Sequence, residues 1–436
     1  MDTMKELRIM DQAVATPARA DAPQPDVIRA MAIAARAAGR VLARSTTETR
    51  NRALTAAASA LRAAQAELLA ANARDVAAFT GAAAFRDRLT LNPERVEAMA
   101  QGLEQVASLP DPVGHVMAEW DRPNGLRIRR VATPVGVIGM IYESRPNVGA
   151  DAAALCIKSG NAVILRGGSD SLNSARVIHA AMQAGLKAVG LPVECVQIPP
   201  DADRAHVASM LGAAGLIDLI IPRGGKSLVE RVCAEARVPV LAHAEGLCHT
   251  YVHAAADLEM ARRIVLNAKL RRPGICGATE TLLVDQAIAP NILPGLIEDL
   301  ATRGCTFRAD ARARDIVPDL PAATEDDFAT EWLDAVLSVG VVNGVEDALA
   351  HIARYGSAHT EAIVTEDEAA AVTFLNGTDS AVVMWNASTQ FCDGGEFGFG
   401  AEIGIATGRF HARGPVGLEQ LTMYRYEVIG TGQVRP

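Results

Sequence analysis

Between residues 135 and 241, short apolar segments alternate with segments of helical length and periodicity. Short apolar strands separated by helices are typical of parallel βαβ units, because parallel strands need a long crossover connection. This alternation restricts the chain to the α/β class with a parallel sheet. The predicted strands are 135–142, 162–166, 193–198, 216–221 and 238–241, and the predicted helices are 170–188, 203–213 and 226–236.

Helices are expected before this region and a second α/β set after it. Residues 26–80 carry apolar side chains at helical spacing, and Asn92-Pro93-Glu94 is typical of a helix start. Segments 125–131 and 421–428 alternate polar and apolar residues, so we expect them to pair in one small exposed sheet. The second set has strand-like segments at 281–284, 335–342, 361–364 and 381–384.

The composition argues against several classes of function. The 436 residues include 42 Lys and Arg and 51 Asp and Glu, and the net charge of −9 does not favour nucleic acid or anionic membranes. No apolar run approaches the roughly 18 residues of a membrane span, and no signal peptide is visible. Seven cysteines without a CxxC pair argue against a disulfide framework. We expect a cytoplasmic protein with a flexible N-terminal extension at residues 1–25.

Two glycine loops each follow a predicted strand and open a helix. Glycine lets a ligand approach the backbone, the helix N-terminus supplies N–H groups, and a neighbouring arginine can pair with phosphate. The alternative is an ordinary turn with a surface arginine. GxGxxG and Walker A fingerprints are absent from these loops, so a nucleotide would bind in a less common way. The predicted cofactor residues here are Arg166, Gly167, Gly168, Ser169, Arg223, Gly224 and Gly225.

Cys276 is the candidate nucleophile. It follows Pro273 and Gly274, which end a predicted helix and force an irregular turn before a predicted strand. Arg271 and Arg272 lie upstream, and positive charge favours thiolate over thiol. The alternative is a buried structural cysteine, which is common for free thiols.

A second group of metal-ligating residue types lies between 243 and 253. It comprises His243, Cys248, His249 and His253. Because alternation along a strand points neighbouring side chains to opposite faces, we do not expect them to converge, and no metal site is predicted.

Several long blocks, in order along residues 27–435, share the pattern of one enzyme family. They read TPVGVIGMIYESRPNV, DAAALCIKSGNAVILRGGSDS, IIPRGGKSLV, VPVLAHAEGLCHTYV, RRPGICGATETLLV, YGSAHTEAIVT and WNASTQFCDGGEFGFGAEIGIATGRFHARGPVGLEQLT. In these blocks the chain resembles the γ-glutamyl phosphate reductase family, a branch of the aldehyde dehydrogenase superfamily.

The resemblance implies an aldehyde dehydrogenase-like α/β fold with three parts. The NADP-binding domain would comprise 26–120 and 132–242, and the catalytic domain 243–405. A small oligomerisation sheet would come from 121–131 and 410–436, which implies a homodimer or homotetramer. The extension before residue 26 is too short for a fused kinase domain, so we expect a monofunctional chain.

The resemblance also implies the reaction. Members reduce L-glutamyl 5-phosphate to L-glutamate 5-semialdehyde with NADPH and release phosphate, the second step of proline biosynthesis from glutamate. The family pattern puts the nucleophile on Cys276 and the oxyanion-stabilising amide on Asn147. The glutamate that holds the nicotinamide ribose corresponds to Glu331. Glutamate 5-kinase is a candidate transient partner.

Anionic substrate groups and the leaving phosphate need cationic partners. The substrate-binding candidates from the family blocks are Arg145, Arg409, His411 and Arg413. Arg166 stands where the superfamily commonly has a lysine near the adenosine ribose, which favours NADP over NAD. Ala242 takes the place of the glutamate base of hydrolytic members, so we expect slow thioester hydrolysis.

Two positions depart from the family pattern. Gly277 follows the nucleophile where asparagine is common, and Gln390 stands where arginine is usual. Both put the substrate identity in doubt. The alternatives are a related reductase or dehydrogenase with another substrate, or a non-catalytic nucleotide-binding scaffold.

Overall fold

The computed structural model describes residues 26–81, 83–143, 145–242 and 245–435, so the predicted extension at 1–25 lies outside the described residues. The helices are α1 Val27–Leu42, α2 Thr47–Ala63, α3 Gln65–Ala78, α4 Ala83–Leu89, α5 Pro93–Ser108, α6 Pro146–Lys158, α7 Leu172–Ala188, α8 Ala205–Gly212, α9 Lys226–Glu235, α10 Leu258–Leu270, α11 Ala289–Ala301, α12 Ala311–Ile316, α13 Glu325–Phe328, α14 Gly344–Tyr355 and α15 Glu368–Gly377. The strands are β1 Val116–Asp121, β2 Arg127–Pro134, β3 Val137–Tyr142, β4 Ala162–Arg166, β5 Val196–Gln197, β6 Leu219–Arg223, β7 Cys248–Val252, β8 Thr279–Asp285, β9 Thr306–Ala309, β10 Val336–Val342, β11 Thr360–Val364, β12 Val382–Trp385, β13 Ile405–Ala406, β14 Gly414–Pro415 and β15 Thr422–Ile429.

The first sheet is parallel, with the strand order β5-β4-β3-β6. The predicted parallel arrangement is therefore confirmed. Ile141 pairs with Arg166 and Tyr142 pairs with Arg223. The arginines that end β4 and β6 thus flank the end of β3 at the carboxyl edge, which is the edge where parallel sheets commonly bind ligands.

Two predicted strands of this sheet are wrong in extent. Residues 193–195 form a 3₁₀ turn after Pro192, which leaves only Val196–Gln197 as a strand. Segment 238–241 forms only an isolated bridge between Val240 and Ile220. Pro239 lacks an N–H group, and this limits the ladder that the segment can form.

Helices cover the first sheet, and the helix start predicted at Asn92 is confirmed. The Thr46 hydroxyl accepts the N–H of Thr49 at 3.2 Å, and the Asn92 side chain accepts the N–H of Arg95 at 2.8 Å. Helices α2, α5, α6 and α7 join the sheet in one apolar cluster that includes Leu54. Burial of this cluster fixes α6 on the sheet, with its N-terminus at the carboxyl edge of β3.

The second sheet is also parallel, with the order β12-β11-β7-β8-β10-β9. All seven residues of β8 are buried, as expected for a central parallel strand. Its core packs against α10 and α11. The turn that carries Cys276 connects α10 to β8, so a rigid helix and a central strand hold it on both sides.

A small antiparallel sheet has the order β1-β2-β15. β2 pairs with β15, from Arg127 opposite Ile429 to Pro134 opposite Thr422, which confirms the predicted pairing of these two segments. β1 adds a third strand, which pairs with β2. The predicted small sheet begins at residue 121, so most of β1 lies before that predicted boundary.

Within the described residues, no helix combines the length and the apolarity that a bilayer span requires.

Candidate active site

Cys276 lies half-buried in the turn between α10 and β8. The N–H of Ala278 donates to the carbonyl of Ile275 at 3.0 Å and closes the turn around the thiol. The irregular segment that Pro273 and Gly274 predict is therefore present. A side chain placed in this way is fixed by its flanking elements and still borders open space.

Two neighbours hold the backbone of Cys276. The Cys248 thiol at the start of β7 donates to the Cys276 carbonyl at 3.0 Å. Gly246 lies so close that a Cβ there would be 2.2 Å from the Cys276 carbonyl oxygen and 2.7 Å from its Cβ. Only glycine fits at such a distance, so the segment before β7 packs directly on the nucleophile's backbone.

Glu331 fixes this glycine. Its carboxylate accepts the backbone N–H of Gly246 at 2.8 Å. Glu331 precedes β10, and burial raises the pKa of its carboxyl. The residue that the resemblance matches to the ribose-binding glutamate therefore supports the segment that contacts Cys276.

The surroundings of Cys276 favour the thiol over the thiolate. Burial raises the pKa of the Cys276 thiol to about 11. The Arg223 guanidinium opposes this shift, whereas Glu331 and Glu402 add to it. Arg223 is therefore a cation that stabilises the sulfur when it ionises.

A cleft of about 580 Å³ lies beside the cysteine turn. It is lined by the N-terminal end of α6, by α4 and α5, and by the segment 272–275. The lining residues are Asp87, Arg88, Leu91, Arg95, Ala98, Met99, Arg145, Asn147, Asp151, Arg272, Gly274 and Ile275. Two of the predicted site residues, Arg145 and Asn147, therefore lie in one cavity with the turn that carries Cys276.

The Asn147 amide is held by its own helix. Its Nδ2 donates to the Asp151 carboxylate at 3.1 Å, one turn further along α6. A primary amide carries two hydrogens on this nitrogen. One of them bonds Asp151, and the other has no acceptor among the described residues.

Four arginines line the cleft, and three of them have no carboxylate partner among the described residues. Among the described residues, the side chains of Arg88, Arg145 and Arg272 make no hydrogen bond or ion pair, whereas Arg95 pairs with Asp87 at 3.0 Å. Burial, together with Arg223 and Arg88, lowers the pKa of Arg145 to about 10. Unpaired guanidiniums that repel each other in a cavity are arranged for an anion.

The first glycine loop lies at the carboxyl edge of β4. Arg166 there donates to the carbonyls of Gly167 and Ala202 at 2.7 and 2.8 Å, while its Nε is buried without a partner among the described groups. A Cβ on Gly167 would lie 3.0 Å from the Tyr142 ring, so the loop packs closely on that ring. Gly168 begins the 3₁₀ turn Ser169–Ser171, which has no side-chain cap in the described structure.

The second glycine loop differs from the first. Gly225 donates its N–H to the Glu143 carboxylate at 2.9 Å. A Cβ on Gly224 would lie 2.5 Å from the same carboxylate. This loop therefore contacts the Glu143 carboxylate at the place where the sequence pattern predicts a phosphate.

The remaining substrate-binding candidates lie elsewhere. Arg409 and Arg413 both pair with Asp379, and His411 bonds the carbonyl of Gln420 at 2.8 Å. They are not among the residues that line the cleft. These three residues therefore stay predictions that the cleft with Arg145 and Asn147 does not include.

The two departures from the family pattern meet in the structure. A Cβ on Gly277 would lie 3.2 Å from the carbonyl of Thr389, next to Gln390. Gln390 is buried and donates to the carbonyls of Ala268 and Arg272 at 3.0 and 3.3 Å. Gln390 therefore ties the end of α10 to the cysteine turn, although the sequence suggested an effect through lost charge.

The residues considered for a metal are paired separately. His249 bonds Glu361 at 2.8 Å, His253 bonds Thr365 at 2.8 Å, and Cys248 bonds a carbonyl. His243 lies outside the described residues. Within the described part of the chain, no group of three or more His, Cys, Asp or Glu could hold a metal ion.

Sequence reasoning missed Arg88, Asp151 and Glu402. Asp151 follows Asn147 by one helical turn, a spacing that could have pointed to it. Arg88 stands in a short basic stretch, Arg86-Asp87-Arg88, without a distinguishing pattern. Glu402 lies in the block FGFGAEIGIA, where only its isolated charge among small and apolar residues was a signal.

Comparison with known proteins identifies the family. Residues 8–311 match the aldehyde dehydrogenase family. The chain is 75% identical over 411 residues to a γ-glutamyl phosphate reductase of Gluconobacter oxydans, covering 94% of this chain and 96% of the relative. It is 68% identical over 410 residues to that of Acidiphilium cryptum, covering 94% and 98%. The crystal structure of γ-glutamyl phosphate reductase from Thermotoga maritima superposes with a TM-score of 0.92 at 44% identity, over 94% of this chain and all (100%) of that one. The chain therefore belongs to the aldehyde dehydrogenase family and, within it, to the γ-glutamyl phosphate reductases.

Proposed function

We propose that this chain catalyses the NADPH-dependent reduction of L-glutamyl 5-phosphate to L-glutamate 5-semialdehyde and phosphate, the second step of proline biosynthesis from glutamate. The observation that supports this most is the position of Cys276 beside a cleft that contains Asn147 and unpaired arginines. Membership of the family makes the chain an oxidoreductase that acts on an aldehyde group with a nicotinamide cofactor.

The chain's residues can perform the acyl transfer. The Cys276 thiolate attacks the acyl carbonyl, and the Asn147 amide and the Cys276 backbone N–H stabilise the oxyanion. Phosphate leaves with the electron pair of the broken C–O bond, and a thioester with Cys276 remains. A nicotinamide cofactor, when bound, would supply the hydride that reduces this thioester. The resulting thiohemiacetal then collapses to the aldehyde and frees Cys276.

We propose NADP as the cofactor, bound at the carboxyl edge of the first sheet. The buried Nε of Arg166 without a partner among the described groups fits an anion there. Arg204 adds a second cation: burial lowers the pKa of Arg166, and Arg204 lowers it further. Two guanidiniums suit a 2′-phosphate better than a ribose hydroxyl. Arg204→Ser should raise KM for NADP⁺ and leave KM for NAD⁺ unchanged.

The assignment of Glu331 to the nicotinamide ribose is part of the same proposal. Its carboxylate lies beside Gly246, which contacts Cys276. Glu331 would hold the ribose of the cofactor on the side of Gly246.

We propose that copies of this chain associate through the small sheet. β15 is an edge strand with exposed apolar and aromatic side chains at Met423, Tyr424, Tyr426, Val428 and Ile429. An exposed edge of this kind needs a cover, and a second copy would supply it in a homodimer or homotetramer. Sedimentation of wild type and Tyr426→Glu would test this.

We further propose a transient protein partner and a cellular location. Because acyl phosphates hydrolyse readily, a transient contact with glutamate 5-kinase would protect the substrate. A cytoplasmic location agrees with all seven cysteines being free thiols.

A hydrolytic aldehyde dehydrogenase is the second candidate, and one observation favours it. Burial raises the pKa of the Glu402 carboxyl to about 7. The negative charge of this group helps to raise the pKa of the Cys276 thiol, so the two groups interact. A carboxyl with such a pKa is suited to general-base catalysis. Against this role, Glu402 accepts the N–H of Gly394 at 2.9 Å, which holds it in a structural position.

The deciding experiment follows NADP⁺ reduction with glutamate semialdehyde, with and without phosphate. Phosphate-dependent turnover that Cys276→Ala abolishes and Glu402→Gln retains supports the reductase. Rapid turnover without phosphate that Glu402→Gln abolishes establishes the hydrolytic enzyme. Wild-type protein without turnover in either condition points to another substrate or to a scaffold.

A further inference from the structure

Asp151 is a carboxylate in the cleft that has no cationic partner among the described residues. It lies half-buried on α6, and one oxygen accepts the Asn147 amide at 3.1 Å. Its other oxygen faces α5, where a Cβ on Gly102 would lie 3.9 Å away. Among the described residues Asp151 makes no ion pair, and burial raises the pKa of its carboxyl to about 6. A carboxylate removed from water without a counter-ion is costly, so a ligand cation would stabilise it.

Arg88 is the matching cation at the rim. Its guanidinium stacks on the Phe85 ring at 5.4 Å and makes no hydrogen bond or ion pair with the described residues. Its neighbours are used otherwise, since Arg86 bonds the carbonyl of Phe79 at 2.7 Å and Arg95 pairs with Asp87. The charge of Arg88 also helps to lower the pKa of Arg145. The two guanidinium groups are therefore close enough to repel each other across the cleft.

The cleft therefore presents one free anion and several free cations to a ligand. Arg145 and Arg272 border the cysteine turn, at the place where an acyl phosphate would react. Arg88 belongs to α4, on another wall, and Asp151 lies one turn beyond Asn147. The charge pattern matches a molecule with a phosphate at one end and an ammonium and a carboxylate at the other.

We propose that Asp151 binds the α-ammonium group of the substrate and Arg88 binds its α-carboxylate. This inference rests on the proposed function, because it takes the substrate to be an amino acid acyl phosphate. A single hydrogen bond between charged groups contributes about 1.5–3 kcal/mol, which corresponds to roughly 10- to 150-fold in kcat/KM.

The test compares three aldehydes in the phosphate-dependent oxidation. Glutamate semialdehyde carries both α-groups, 5-oxopentanoate lacks the amine, and 4-aminobutanal lacks the carboxylate. Asp151→Asn should lower kcat/KM about 10- to 150-fold more for the two amines than for 5-oxopentanoate. Arg88→Gln should lower kcat/KM by a similar additional factor for the two carboxylates relative to 4-aminobutanal. Arg86→Gln, whose guanidinium serves a backbone carbonyl, is the matched control.

The outcomes separate the possibilities. If Asp151 only orients Asn147, Asp151→Asn lowers kcat for all three aldehydes equally, and the inference is wrong. If wild type shows phosphate-dependent turnover of the semialdehyde but both variants keep its substrate preference, the inference fails and the proposed function stands. If wild type shows none with any aldehyde, the proposed function itself fails. Arg88 is exposed, so its variant is informative even where Asp151→Asn does not fold.

Discussion

Gly246 lies against the backbone of Cys276, so closely that a Cβ at position 246 would be 2.2 Å from the Cys276 carbonyl oxygen. The contact joins the segment before β7 to the turn before β8. Any side chain at 246 must displace the nucleophile, because a backbone atom cannot move aside as a flexible side chain can.

Gly246→Ala should therefore reduce kcat by at least about 100-fold, because a displacement of about 1 Å at the reacting group has an effect of this size. The control is Gly212→Ala at the end of α8, where a Cβ meets nothing within 4 Å. There alanine should leave the rate unchanged and the stability equal or higher. Steady-state rates and thermal melts of both variants check this, and a Gly246→Ala enzyme with normal kcat would contradict the contact.

Glu331 accepts the Gly246 N–H, and in the proposed function it also holds the nicotinamide ribose. Glu331→Gln keeps an oxygen that can accept the Gly246 N–H, so the melting temperature should stay near wild type while KM for NADP⁺ rises. Glu331→Ala loses both the hydrogen bond to Gly246 and the ribose contact. It should therefore also lower the free energy of unfolding by about 1–3 kcal/mol, because the buried Gly246 N–H is left unpaired. Equal effects of both substitutions on KM and on stability would show that Glu331 affects cofactor binding only through its hydrogen bond to Gly246.

The pH dependence of Cys276 alkylation follows from its surroundings. Because burial raises the pKa of the thiol to about 11, the reactive thiolate is a small fraction at neutral pH. The iodoacetamide rate of the free enzyme, corrected with Cys276→Ser, should rise about tenfold per pH unit from 7 to 9.5. A plateau below pH 8 would contradict it. Arg223→Gln should slow alkylation about three- to tenfold, since it removes the cation that opposes the shift.

Lys269 and Glu280 form a buried ion pair at 2.5 Å, with side-chain exposures of 0% and 1%. Glu280 also accepts the N–H of Leu333, which ties α10 and β8 to the segment after Glu331. Lys269→Met should destabilise the fold by about 3–5 kcal/mol, because a buried charge is left alone. Denaturation midpoints test this against Arg231→Ala in the exposed pair with Glu235, which should change stability by about 0.5 kcal/mol or less.

A double variant shows whether the charge or the packing matters. Lys269→Met with Glu280→Gln should recover much of the lost stability, because no uncompensated charge remains and the glutamine still accepts the Leu333 N–H. A double variant as unstable as Lys269→Met alone would assign the loss to packing.

The parallel sheets and the nucleophile turn were predictable because their signals are local. Apolar runs separated by helices define the strands, and Pro273 with Gly274 defines the turn. The same local reading was wrong at 193–198 and 238–241, where Pro192 and Pro239 break the ladder.

Contacts between distant segments were not predictable. Nothing near Gly225 shows that Glu143 accepts its N–H, and nothing near Arg88 shows that α4 lines the same cleft as Asn147. Gln390 looked like a lost charge, yet its amide joins two backbone carbonyls. Such roles depend on tertiary geometry, which residue type and spacing do not determine.

The proposed function requires that Cys276 carries a thioester that phosphate, and not water, discharges. To test this, the enzyme is mixed with glutamate semialdehyde and NADP⁺ in phosphate-free buffer and quenched rapidly with acid. The NADPH formed is then measured, and adducts are determined by peptide mass spectrometry. We expect a burst of about one NADPH per active site, a glutamyl adduct on Cys276, and its release when phosphate is added. Continued turnover without phosphate, or a burst without an adduct on Cys276, would contradict this reaction scheme.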